Sequence, residues 1–102
     1  MKALAISDRA DASLSQIFGW TIDKFGQRQA DAYSAMLLDR SKAIAAGQVP
    51  HQSCRVMFAD DLREDLRFAR AGQHLVIFIE TVDQVLIVDF MHQSADIAGR
   101  LG

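Results

Sequence analysis

Two neighbouring stretches constrain this 102-residue chain more than any other feature: His74 to Glu80 (HLVIFIE) and Gln84 to Met91 (QVLIVDFM). Only Thr81-Val82-Asp83 separates them, so they pair as an antiparallel hairpin. Both are apolar at nearly every position. On the first, Leu75, Ile77 and Ile79 point one way and His74, Val76 and Phe78 the other. On the second, Val85 and Ile87 oppose Leu86, Val88 and Phe90. A sheet with one wet face alternates apolar and polar residues. This hairpin does not, so both faces need cover. After it the chain supplies only the polar run His92-Gln93-Ser94-Ala95-Asp96 and a short remainder.

Upstream, Lys2 to Ile6 suits a short strand. Ser7 or Asp8 then caps a helix, because a short side-chain oxygen can accept a free N–H of the first turn. Ala10, Leu14, Ile17, Thr21 and Phe25 recur at steps of three and four and share one face, which Phe18 and Ile22 broaden. Trp20 lies off that face, at its rim or on a contact surface. Gly26 stops the helix. A second helix runs from about Gln27 to Ala46 with Ala30, Tyr33, Leu37 and Ile44 inward, and Gly47 and Pro50 end it. The link is so short that the two helices pack as an antiparallel hairpin. Residues 49–65 are the least legible part, with Cys54 to Phe58 open as strand or irregular segment. Leu66 to Arg70 alternates as a half-buried strand, and Ala71-Gly72 turns into the apolar hairpin. Ser94 caps a last turn through Ala98, ended by Gly99.

The expected fold is therefore α+β: an N-terminal strand, an antiparallel helical hairpin, then a three-stranded antiparallel meander, in a single domain over residues 1–102. A helix pair covers one face of such a sheet. The tail, residues 49–65, another subunit or a dedicated partner must cover the other. The expectation adopted is an open face completed by a partner, and a chain that self-associates through its sheet when alone.

Composition narrows the chemistry. The formal net charge is −2, whereas a chain that grips nucleic-acid phosphates carries a basic excess. The single cysteine, Cys54, cannot form an intramolecular disulfide, so a reducing, cytoplasmic setting is expected. The opening apolar run is too short for a secretory signal. No run approaches the ~20 residues that span a bilayer, so no membrane role is expected. His51, Cys54, His74 and His92, at spacings of 3, 20 and 18, match no zinc pattern. No phosphate-binding glycine loop is present. No metal, cofactor or catalytic residue is expected.

Several residues together carry a resemblance. Arg9-Ala10, Leu14 and Ile17 are followed by Phe25-Gly26, Gln29-Ala30 and Tyr33. Gly72, His74, the apolar strand, Met91-His92-Gln93-Ser94-Ala95-Asp96 and Leu101-Gly102 complete the pattern. The chain resembles the ParE toxins of bacterial ParDE toxin–antitoxin modules, in the RelE/ParE superfamily, over all but Gly47 to Asp65. The resemblance implies a helical hairpin on a mainly antiparallel sheet and a non-enzymatic toxin that poisons DNA gyrase. It also implies neutralisation by a ParD antitoxin, whose disordered C-terminal part folds onto the toxin in a hetero-oligomer. Operator DNA would then be reached through the antitoxin alone. Family members often carry an aromatic and a basic residue after His74; here those places hold Phe78 and Ile79, so a hydroxyl and a positive charge are missing.

The superfamily's other activity, RelE-type cleavage of messenger RNA on the ribosome, needs a base, an acid and positive charge at the phosphate. This chain offers Arg67, Arg70, His74 and His92, but its one tyrosine, Tyr33, lies on a helix. The tail has no Tyr or Lys, and Arg100 is its only Arg. The candidate target-binding residues are Arg67, Arg70, His92, Gln93, Asp96 and Arg100. The candidate antitoxin-binding residues are Trp20, Phe25, Leu75, Ile77 and Ile79.

Overall fold

The computed structural model describes residues 2–101. In chain order the elements are β1 (Ala3–Ile6), α1 (Asp8–Phe25), α2 (Gln27–Ala45), β2 (Gln52–Ser53), α3 (Cys54–Met57), β3 (Leu66–Ala71), β4 (His74–Glu80), β5 (Gln84–His92) and α4 (Ile97–Leu101). The strands form one sheet in the order β1-β5-β4-β3-β2. β1 lies parallel to β5, and the other pairs are antiparallel. The expected order of strand, helical hairpin and meander holds, with a two-residue strand added at the far edge.

Local chemistry sets the helix ends. The Ser7 hydroxyl accepts the Ala10 N–H at 3.0 Å and donates to the Val88 carbonyl at 2.8 Å, so one side chain caps α1 and ties it to β5. Gly26 sits at φ +88°, a conformation glycine adopts without a Cβ clash. It turns α1 directly into α2.

The α1–α2 hairpin covers one face of the sheet. Leu37 and Ile44 of α2 meet Val76, Phe78, Val85 and Ile87 there, all buried. The opposite face is also covered, and by the chain itself. Cys54, Leu62 and Ile97 close over Leu66, Leu75, Ile77 and Met91, with Phe58, Ala95 and Leu101 packed around them. This corrects the expected open face. Leu75 and Ile77 lie 7% and 0% exposed, and Ile79 is half-buried against the same cluster. The missing cover was hidden in the illegible segment. Cys54 to Met57 is a short helix, and the acidic turn after Phe58 carries the buried Leu62.

Two further details differ from expectation. β5 carries a bulge: Ile77 pairs with Asp89 and Phe78 with Ile87, so Val88 is left over. One extra residue reverses which side later residues face. Phe90, expected beside Val88, instead joins Val85 and Ile87 under the helices. The last helical turn begins at Ile97 rather than after Ser94, with Asp96 accepting the Gly99 N–H at 3.1 Å and Gly99 inside it. Ile97 and Leu101 at i and i+4 then face the sheet together.

Leu62 is the sharpest test of this second core. Leu62→Ala removes a side chain that is 2% exposed, and should cost about 2–5 kcal/mol in urea unfolding. A near-neutral result would mean that this segment does not close the sheet.

Candidate partner-binding groove

A groove of about 470 Å³ lies between the tip of the helical hairpin and the end of the sheet. Trp20, Thr21 and Phe25 of α1 form one wall, Tyr33 of α2 another, and His74 and His92 lie at the sheet end. Phe25 was expected on the buried stripe of α1. That stripe is buried at Ala10 and Thr21, but Phe25 is 58% exposed. Trp20 is equally exposed, and the two rings meet edge to face with centres 6.0 Å apart. Two large aromatic rings held together in water form a contact surface of the kind that anchors protein interfaces.

The sheet end of the groove is polar and locally ordered. Gly72, at φ +59°, lets the β3–β4 turn approach α2 so closely that a Cβ there would lie 2.9 Å from the Tyr33 hydroxyl. The Gln73 N–H donates to Tyr33 Oη at 3.1 Å, and that hydroxyl meets His74 Nδ1 at 2.6 Å. The Tyr33 hydroxyl therefore bridges the β3–β4 turn and the His74 ring, and the His74 tautomer sets the direction of the second bond. His92 pairs with His74 directly across the strands. Its Nδ1 meets Ser94 Oγ at 2.7 Å and accepts the Ser94 N–H at 3.1 Å. Burial, and after it the charge of a protonated His92, push the His74 imidazole below its ordinary value of 6.5.

The expected target-binding residues do not form one site. Arg67 and Arg70 lie on opposite faces of β3. Arg67 Nε donates to His51 Nδ1 at 2.6 Å, in a group that includes Glu80. Arg70 donates to the Gln93 side chain and sits beside Gly72, so Arg70, His92 and Gln93 gather near the groove. Asp96 caps α4, and the Arg100 carbonyl accepts from Arg9 Nη2 at 2.9 Å. Of the expected antitoxin-binding residues, Trp20 and Phe25 flank the groove, whereas Leu75 and Ile77 lie in the covered core. Cys54 is fully buried, and burial pushes its thiol up to about 11, which removes it as a nucleophile at neutral pH.

Sequence reasoning missed Asp89. It is fully buried, accepting from Arg9 Nε at 3.0 Å, from the Phe90 N–H at 2.8 Å and from the Ser13 hydroxyl. A carboxylate inside the apolar run LIVDFM was the available signal, since such a group is buried only with partners. Arg9 thus joins α1, β5 and α4.

With the geometry in place, the comparisons assign the family. The model of the ParE toxin of type II toxin–antitoxin systems, parDE, matches residues 4–97, and the chain belongs to that family. The Escherichia coli toxin ParE is 28% identical over 102 residues, covering 99% of this chain and 94% of that protein. The fold matches a solved structure titled "Chromosomal ParDE TA system from P. aeruginosa" with a TM-score of 0.72 and 14% identity. That match covers 90% of this chain and 96% of the other.

Two measurements test the wiring of the site. Arg9→Ala leaves Asp89 buried with fewer donors; because Arg9 is itself about half exposed, the expected loss is about 1–2 kcal/mol in chemical denaturation. The His74 effect has a definite sign. The folded state resists protonation that the unfolded chain accepts near 6.5, so the stability from neutral His74 is complete above that pH and is lost as pH falls below it. His74→Gln should therefore show a shallower stability loss than the parent between neutral pH and the acid side of 6.5. Parallel curves would contradict this.

Proposed function

We propose that this chain is a non-enzymatic toxin that inhibits DNA gyrase and is neutralised by a ParD-type antitoxin in a hetero-oligomer. Family membership supports the toxin and its antitoxin partner. The observation that favours a protein target is the groove, with Trp20 and Phe25 exposed at its wall and ordered polar groups at its end. An apolar groove with a few fixed polar groups suits an amphipathic or folding-upon-binding segment. The arrangement of charge argues against RNA cleavage. Arg67 and Arg70 diverge, each is bonded within the chain, and both His Nδ1 atoms are engaged locally. In this reading Trp20 and Phe25 serve the antitoxin. Arg70, His92 and Gln93, with the tail residues Asp96 and Arg100, serve the target, and Arg67 contributes from the opposite face of β3.

Induction without antitoxin tests the activity. The expected outcome is filamentation with DNA-damage signalling, and gyrase cleavage complexes in vitro. Rapid loss of translation with supercoiling intact would replace the proposal with the RelE-type activity. The double variant Trp20→Ala, Phe25→Ala should keep its fold and lose affinity for the antitoxin by about 10-fold or more in calorimetry. Unchanged affinity would move the antitoxin site elsewhere.

A further inference from the structure

The groove at the hairpin tip has a one-sided charge balance. None of the residues that line it is acidic, although the chain carries 13 acidic residues to 11 Lys and Arg. The adjoining groove shares Phe25, Gln29 and Tyr33 with it, and the one charged residue added there is Arg28. At the sheet end stands Arg70, bonded to the Gly72 carbonyl and to the side chain of Gln93, next to His92. His92 contributes a donor of its own. Its Nδ1 accepts the Ser94 N–H at 3.1 Å, so the proton of the neutral ring is on Nε2. Among the described residues no group accepts from that Nε2, and His92 is exposed where it lines the groove.

We propose that the sheet end of this groove receives a carboxylate of the antitoxin: an Asp or Glu side chain that accepts from His92 Nε2–H, while apolar residues of the same segment pack on Trp20 and Phe25. This rests on the reading above that the groove serves the antitoxin. The chemistry of the lining selects the occupant. An apolar residue seated against His92 would bury its N–H without an acceptor, and a Lys or Arg would meet a donor and no acid. A carboxylate makes a charge-assisted bond there, stronger than one to a neutral acceptor. Arg28 and Arg70, on the two sides of the groove, favour an anionic segment over a cationic one, and no acid in the lining opposes it. His92 is also among the residues given above to the target. A carboxylate seated on it makes antitoxin and target alternative occupants of that residue.

A double-mutant cycle tests this, by calorimetry at neutral pH with the full chain and the full ParD-type antitoxin encoded beside it. Each Asp and Glu of the antitoxin's toxin-binding segment is changed in turn to Asn or Gln. One of these changes should weaken binding to the parent chain by about 10-fold, and binding to His92→Gln by less than about 2-fold. His92→Glu, which sets like charges together, should weaken binding of the unaltered antitoxin more than His92→Gln does. Equal losses against parent and His92→Gln would make His92 a support of the Ser94 turn and not a contact, and would overturn the proposal. If Trp20→Ala, Phe25→Ala lowers affinity and no acidic residue couples to His92, the groove still serves the antitoxin but the carboxylate does not seat there. If neither the aromatic nor the histidine variants change affinity, the antitoxin binds elsewhere and both readings fall.

Discussion

The structure depends on burying a β-hairpin that is apolar on both sides. Val76 and Phe78 need one cover, and Leu75 and Ile77 need another. The helical hairpin supplies the first in one continuous piece. The second is assembled from two separated segments, residues 54–62 and the tail through α4. With both faces occupied, the hairpin becomes a fixed platform. The groove with Trp20 and Phe25 at its wall lies at the tip of the α1–α2 hairpin, beside the end of the sheet that carries His74 and His92.

The platform is held in register by a few polar contacts. Ser7 caps α1 and reaches the carbonyl of the bulged residue Val88. The bulge lets Asp89 turn to Arg9 and Ser13, and Arg9 also reaches the carbonyl of Arg100. One arginine therefore ties the helix that carries Trp20 to the strand that carries His92 and to the helix that closes the second core. These bonds run from the helix that walls the groove to the packing of the opposite face.

Much of this was legible in the sequence, because periodicity reports burial. The stripes of α1 and α2, the caps at Ser7 and Gly26, and the meander all follow from spacing and turn chemistry. The second cover was not legible. Cys54 to Leu62 contributes isolated apolar residues between charged ones, and a four-residue helix is too short to show a period. Phe25 shows the limit of a stripe: periodicity places a residue on a face but does not say whether another element packs against it there. The pairing of His74 with His92 depends on the strand register, which spacing along the chain does not encode. The bulge that reverses Phe90 is equally silent, although Asp89 in an apolar strand marks the place.

The central claim is that the chain itself closes both faces of its sheet. Hydrogen exchange on the isolated protein tests this most directly. The account predicts that the amides of β4 and β5 exchange only on global unfolding, and that Phe58, Leu62 and Arg100, whose N–H groups bond within the cover, are also protected. Free exchange across residues 54–62 and α4, together with weakened protection of β4, would contradict it and return the sheet to the partner.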